Sequence, residues 1–391
     1  MTAGGPALLV VDDIEDNRAL LIARLARLGY TDVTEAANGR TALDALGARA
    51  FDLVLLDVMM PELNGYQVLE HLRADGRLAS LPVIMVSALA EMESVVRCIE
   101  LGAEDYLTKP INGTLLRARV GASLEKKRLR DEVSRHMERM ERELTSAREI
   151  QLGMVPSTFP APTPASPVEV FATLEPARQV GGDLYDVFPL ESGALCIVVA
   201  DVSDKGAPAA LFMARAKTLT RLVATLVRAP DGGSPGPSEI LARVNAELCR
   251  DNAQSMFVTV FLAILDPATG AVAFGNAGHT APYVLSPRTG VAALDGVRGK
   301  PLGIRPTLTW ETGTCALAPG EGLFVFTDGI TEAMDPAGAL YSEERLEAAL
   351  AALTASAPRA VVEGILDEVR RFAAGAPQSD DIAALALRRV E

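Results

Sequence analysis

The chain has 391 residues, 49% of them hydrophobic and 23% charged, with a formal net charge of -14. That length exceeds what one hydrophobic core organises, so two or three soluble globular domains are expected, and the acidic excess excludes nucleic acid and anionic membrane as main partners because both need a basic face. Three histidines and four scattered cysteines leave no basis for a histidine-rich metal centre, a zinc ribbon or a disulfide framework, and no long apolar run or signal pattern is found, which points to the cytoplasm.

From residue 7 to about 122, short apolar runs alternate with helical patterns. Strands are predicted at Ala7 to Val11, Asp32 to Ala36, Phe51 to Leu56, Pro82 to Val86 and Asp105 to Leu107, with amphipathic stretches between them. This alternation predicts a five-stranded parallel, doubly wound sheet with helices on both faces. In such sheets the functional crevice lies beyond the carboxyl ends of the strands, where Asp12, Asp13 and Asp57 fall. Carboxylates crowded together persist cheaply only with a cation among them, and an all-oxygen set suits Mg2+. Ser87 and Lys109 follow the next two strands; there a hydroxyl and an ammonium would contact the phosphoryl oxygens of an acyl phosphate on Asp57. Helix capping would account for one acid at a strand end, but hardly for five functional groups at successive strand ends.

The phrases VVDD, LLDVMMPELNGYQVL, VIMVSA and YLTKP, spread over residues 5–122, resemble a two-component response-regulator receiver domain. The resemblance implies a flavodoxin-like fold in which a histidine kinase or phosphotransfer protein phosphorylates Asp57. It also implies that Asp12, Asp13, Asp57 and the backbone carbonyl of Met59 hold Mg2+, that Ser87 and Tyr106 are switch positions, and that Lys109 binds phosphate. The Lys109–Pro110 bond is then expected to be cis.

Between Ser123 and Gln151, glycine and proline vanish, charges dominate, and Leu129, Val133, Met137, Met140, Leu144 and Ala147 recur at gaps of 4, 4, 3, 4 and 3. The spacing predicts one long helix with a narrow apolar seam. Such a helix is either a solvated connector or a coiled coil pairing two chains, and the narrowness of the seam favours the second. The consecutive gaps of four break a strict heptad. VPSTFPAPTPASP, residues 155–167, then ends the helix in an extended, proline-rich segment.

Beyond it, VEVFATL, ALCIVVADV, MFVTVFLAILD, AVAFGNA, GLFVFTDG and IAALALRRV read as strands, with two helical blocks near 207–228 and 238–251. Strands dominate and helices come together, which predicts an α+β domain with a largely antiparallel sheet. RAPDGGSPGPSE, between the helices, reads as a flexible loop. Four acidic phrases stand beside the apolar runs: VGGDLYD with Asp183 and Asp186, ADVSDKG with Asp201 and Asp204, FTDGITEA with Asp328, and QSDDIA with Asp380 and Asp381. One Asp-Gly at a strand end is usually a turn. Four phrases in a chain so poor in histidine favour a hard-cation site of carboxylates and water, as in a two-metal hydrolase.

EIQLGMVP, EPARQVGGDLYDVF, ADVSDKGAPAALFMA, NAGHTAPYVL, PLGI and TDGITEA resemble the SpoIIE-type branch of the metal-dependent PPM serine/threonine protein phosphatases, over about 145–389. The resemblance implies an antiparallel β-sandwich flanked by helices and a site for two Mn2+ or Mg2+ ions. Asp183, Asp201, Asp328 and Asp380 would be ligands, with Asp201 bridging and the carbonyl of Val202 added; Asp381 is the less favoured member of its pair. Arg178 either clamps the substrate phosphate or pairs with a surface acid, Lys205 either steers phosphate or is solvated, and His279 either donates a proton or stabilises its loop. Two departures stand out: Ala383 where the branch usually has threonine, and Ser342 where glycine is common.

The expectation is therefore a receiver at 1–122, a helical linker at 123–154 and a phosphatase domain at 155–391. Phosphorylation of Asp57 would control dephosphorylation of a STAS-domain anti-anti-sigma factor, in a homodimer paired through the linker and receiver. A non-enzymatic binding module gated by phosphorylation is the alternative from another class, and a metal-dependent nucleotide phosphodiesterase a third.

Overall fold

The computed structural model describes residues 5–88, 92–159, 161–164, 166–228 and 234–390. Residues 229–233 of the segment read as a flexible loop, and Pro160 and Ala165 of the proline-rich stretch, lie outside them. The chain divides into two compact units, Met1–Glu141 and Arg142–Glu391.

In the first unit, β1 (Leu8–Val11), β2 (Val33–Ala36), β3 (Leu53–Asp57), β4 (Val83–Ser87) and β5 (Asp105–Thr108) form a parallel sheet in the order β2-β1-β3-β4-β5. Side chains alternate faces along each strand. Leu9, Val11, Val54 and Leu56 therefore enter one core, with Leu46 of α2 (Gly39–Ala48) and Leu72 of α3 (Gly65–Ala74), while Leu8, Val10, Leu53 and Leu55 enter the other, with Leu21 and Leu25 of α1 (Glu15–Arg27). Asn38 and Asn64 cap α2 and α3 in reciprocal boxes with Thr41 and Gln67. The fourth helix, α4, spans Met92–Glu100.

The connector differs from expectation at its start. The fifth helix, α5, is continuous over Gly113–Met154, 42 residues or about 63 Å of helix. No break separates a receiver helix from a linker at 122, because Leu116, Val120 and Leu124 are apolar contacts of the receiver core in one helical phase. Gly121 alone disfavours continuation, by about 1 kcal/mol, which does not stop a helix anchored on both sides. Leu129, Val133, Met137 and Met140 of the seam are 49%, 58%, 68% and 65% exposed.

The second unit is a sandwich of two antiparallel five-stranded sheets. One has the order β13-β10-β9-β8-β7, from β7 (Leu184–Pro189), β8 (Leu195–Val202), β9 (Val258–Leu265), β10 (Ala271–Ala277) and β13 (Gly313–Ala316). The other has the order β12-β11-β14-β15-β6, from β6 (Val168–Glu175), β11 (Tyr283–Ser286), β12 (Gly290–Ala293), β14 (Gly322–Phe326) and β15 (Ile382–Arg389). Val199, Phe261, Val325 and Leu385 meet between the sheets. The expected helices appear as α6 (Ala207–Leu226) and α7 (Pro237–Leu248), covering the outer face of the first sheet through Met213 and Leu241. A second pair, α8 (Glu343–Ala351) and α9 (Pro358–Ala373), covers the other sheet through Leu346 and Ile365. Helices on both outer faces agree with the expected sandwich flanked by helices, and α8 and α9 are a pair that the sequence reading did not mark. The alanine-rich text of α8 and α9 lacked the long apolar runs that drew attention to strands.

Candidate functional site

In the receiver unit, Asp12, Asp13 and Asp57 lie at the carboxyl ends of β1 and β3, and each offers a carboxylate oxygen within 4.8 Å of the others. Asp12 and Asp57 are buried, whereas Asp13 is exposed. One oxygen of Asp12 accepts from the Ile14 amide at 3.0 Å and from Asn17 Nδ2 at 3.1 Å. Lys109 Nζ lies 2.7 Å from the other and 3.1 Å from Asp57 Oδ2. Burial raises the Asp57 carboxyl above its usual range, and the Lys109 ammonium opposes that rise. Lys109–Pro110 is cis. Met59 meets Asp57 through its backbone N–H. Ser87, the last residue of β4, and Tyr106, within β5, are buried. Gly65 is needed where it stands, since a Cβ there would lie 2.2 Å from the Asp57 carbonyl oxygen. Arg18 was not singled out from the sequence, yet its Nη1 donates to the carbonyls of Asp12 at 2.9 Å and Asp13 at 3.3 Å.

In the second unit, Asp183 precedes β7, Asp201 lies in β8, Asp328 follows β14, and Asp380 and Asp381 precede β15. β7 pairs with β8 in one sheet and β14 with β15 in the other, so the acidic residues converge from both sheets on one end of the sandwich. Thr327 ties the sheets together: its hydroxyl donates to Asp183 Oδ2 at 2.6 Å and accepts from the Ala383 amide at 2.8 Å. Asp183 is buried, and its carboxyl is pushed well up by desolvation and then by Asp201. Asp201 is pushed up to about 7 by burial, then by Asp328. Asp328 is raised by burial, then by Glu332 and Asp380. Carboxylates held up chiefly by burial and further by one another are a fit for divalent cations. Among the described residues, only the receiver trio brings three carboxylates within 4.8 Å of one another. The second set is instead a sequence of neighbouring pairs.

Asp380 and Asp381 are adjacent in the chain and differently engaged. Asp381 is 6% exposed; its two oxygens accept from the Ala177 amide at 2.8 Å and the Gly182 amide at 2.7 Å. A Cβ on Gly181 would lie 2.1 Å from that carboxylate, and one on Gly182 would lie 2.8 Å from the Val202 carbonyl oxygen. Asp380 is half-buried and meets Lys205 Nζ at 2.7 Å. Gln151, quoted above only as part of a motif, is buried and pairs with Gly181 in both directions, at 2.7 and 3.1 Å.

Other acidic and basic candidates separate. Asp186 points to the opposite face of β7, three residues from Asp183, where Lys217 at 2.8 Å and Arg221 at 2.5 Å pair with it. It is outside the acidic cluster, contrary to its grouping by sequence. Asp204 has φ 70° and belongs to the turn into α6. Arg178 is exposed, and its carbonyl accepts from Arg148 at 3.2 Å. His279 is buried; its amide donates to Asn276 at 2.8 Å and its Nδ1 pairs with the Thr259 hydroxyl at 2.9 Å. Burial lowers its imidazole to about 4, so it is neutral at pH 7.

The family model for the response regulator receiver domain matches residues 8–121. That for stage II sporulation protein E matches residues 191–390, just over half of the chain. The chain belongs to the SpoIIE family. The SpoIIE match starts after Asp183, but the β7–β8 pairing and the Thr327 bond make Asp183 part of the same site region. Protein IcfG of Synechocystis is 31% identical over 267 residues, 63% of this chain and 41% of IcfG. The probable transcriptional regulator ycf27 of Cyanidium caldarium is 41% identical over 119 residues, 30% of this chain and 46% of its own. The chain thus spans less than half the length of these curated relatives. The SiaA-PP2C domain of Pseudomonas aeruginosa superposes with a TM-score of 0.55 at 21% identity, over 65% of this chain and 98% of that domain, a likeness of fold. The SpoIIE match supports a protein phosphatase domain over residues 191–390. Among the described residues no helix is long and apolar enough to cross a membrane.

Proposed function

We propose that this chain is a response regulator in which phosphorylation of Asp57 controls a metal-dependent phosphoserine/phosphothreonine protein phosphatase. The observation that carries the reading is the convergence of Asp183, Asp201, Asp328 and Asp380 from both sheets, cross-tied by Thr327. These four carboxylates and the Val202 carbonyl would hold two Mn2+ or Mg2+ ions, with Asp201 between them. Bound there, the ions would lower the pKa of water and stabilise charge on the phosphoryl group. Asp381 holds the Ala177 and Gly182 amides, and so places the loop that carries Asp183. Arg178, exposed on that loop, is the candidate guanidinium for the substrate phosphate. His279, neutral and tied to Thr259, positions its loop and is not the acid.

In the receiver, Asp12, Asp13, Asp57 and the Met59 carbonyl would hold Mg2+, Lys109 would meet the phosphoryl oxygens, and Ser87 and Tyr106 would respond. The phosphoryl donor is a histidine kinase or phosphotransfer protein, which fits a cytoplasmic location. The exposed seam of α5 is suited to pairing two chains. The resemblance to the SpoIIE-type branch favours a phosphorylated STAS-domain anti-anti-sigma factor as substrate.

The test is Mn2+-dependent phosphate release from a phosphoserine STAS protein by wild type, Asp201→Asn and Asp57→Ala, with and without beryllofluoride. Loss of turnover in Asp201→Asn and loss of the beryllofluoride response in Asp57→Ala are expected. Absence of Mn2+-dependent turnover by the wild type with every phosphoprotein tried would leave only a binding role.

A further inference from the structure

We propose that Lys205 is the counter-cation of Asp380: its ammonium neutralises that carboxylate when no divalent ion does, and withdraws when one binds. The inference rests on the reading of Asp380 as a metal ligand. Lys205 Nζ lies 2.7 Å from Asp380 Oδ2 and donates to the Ser379 carbonyl at 2.9 Å. Two contacts on one loop, from a residue 174 positions away, are a specific seat. The backbone is shaped for it, because Asp204 at φ 70° and Gly206 at φ 80° flank the lysine. Asp204 adopts this left-handed conformation without being glycine, an unfavourable choice that directs the intervening residue across to the start of β15.

Both oxygens of Asp380 are already engaged, Oδ1 by the Asp381 amide at 2.9 Å and Oδ2 by Lys205. The amide cannot leave without moving β15. The ammonium can, on a flexible stem with a side chain 38% exposed, opposite an acid 31% exposed. A divalent ion on Oδ2 would sit within a few ångströms of that ammonium and repel it, so ion binding and lysine release are one exchange. The contrast with Asp186 is instructive, since its partner Lys217 is only 10% exposed and has no such exit. Asp183 differs again, because its donor is the uncharged hydroxyl of Thr327. Lys205 therefore weakens binding of the ion that uses Asp380 relative to the same site without the lysine.

The test uses the full chain and Mn2+ alone, with free Mn2+ followed by electron paramagnetic resonance. Lys205→Met should tighten the Mn2+ site that uses Asp380 about three- to tenfold, the scale of a partly exposed ion pair plus the removed repulsion. Lys205→Arg, which can still pair, should resemble the wild type. In an Asp380→Asn background the same Lys205→Met change should have no effect. Unchanged affinity in Lys205→Met overturns the proposal, and so does tightening that persists without the Asp380 charge, which would mean a general field effect. If Asp380→Asn alone leaves the Mn2+ isotherm as in wild type, the ligand reading fails first and the inference falls with it.

Discussion

Asp380 and Asp381 are neighbours with opposite expected phenotypes. Asp381→Ala removes the acceptor of two amides, Ala177 at 2.8 Å and Gly182 at 2.7 Å, at a position 6% exposed. Each orphaned buried donor costs about 1–3 kcal/mol, so a loss of about 4 kcal/mol is expected. For a domain of this size that is a fall of about 8–16 °C in Tm. Asp381→Asn keeps one acceptor and turns an NH2 toward the other amide, so about half the loss or more remains. Asp380→Ala instead removes a half-exposed ion pair with Lys205, worth under about 1 kcal/mol after solvent screening, and should shift Tm by no more than about 4 °C. Its effect should appear in Mn2+ affinity and turnover. The assay is calorimetric melting of the full chain in EDTA, so that metal binding does not contribute to stability, followed by Mn2+ titration of each variant. The reasoning fails if Asp381→Ala melts with the wild type, or if Asp380→Ala loses as much stability as Asp381→Ala while keeping its Mn2+ affinity.

Three further outcomes are expected. Ser342 sits at φ 70° and ψ 163°, a region open almost only to glycine, so Ser342→Gly should raise stability by about 1 kcal/mol, read from the urea midpoint at constant m. Thr327→Val keeps the shape but removes the donor to Asp183, and should weaken Mn2+ binding about 10- to 100-fold while circular dichroism stays unchanged. His279, lowered to about 4 in the fold against 6.5 when unfolded, takes up its proton first in the unfolded chain as pH falls. Its contribution is therefore complete above about pH 6.5 and declines as pH falls toward 4. Between pH 7.5 and pH 5 the wild type should lose about 2 kcal/mol more than His279→Gln, measured by urea unfolding at both pH values.

Legibility from sequence followed burial and run length. β1, β3 and β4 are strands whose residues are nearly all buried, and their apolar runs announced them. β11, β12 and β13 have four residues each, and β13 buries none of its residues fully, so each is too short for a periodic signal to mark it. The start of α5 was obscured because its first turns are covered by the receiver core while its later turns are exposed, and the change of composition falls inside one helix. The acidic positions at strand ends were legible as a class, but spacing alone could not separate Asp183 from Asp186, or Asp380 from Asp381. Those separations depend on which face a residue takes and on amides up to 204 positions away. Ser342 was visible as an oddity, and only the backbone angle makes it a strained one.

The place of β15 in its sheet has a consequence for when this protein can act. β15 follows every other strand in the chain, yet it lies between β14 and β6 rather than at an edge. During synthesis, β6 waits without its neighbour, and Gly182 waits for a carboxylate encoded 199 residues later. A growing or prematurely terminated chain that already carries a finished receiver would thus hold no partial hydrolase beside it. The candidate catalytic end of the sandwich is assembled in a single late event, when β15 enters.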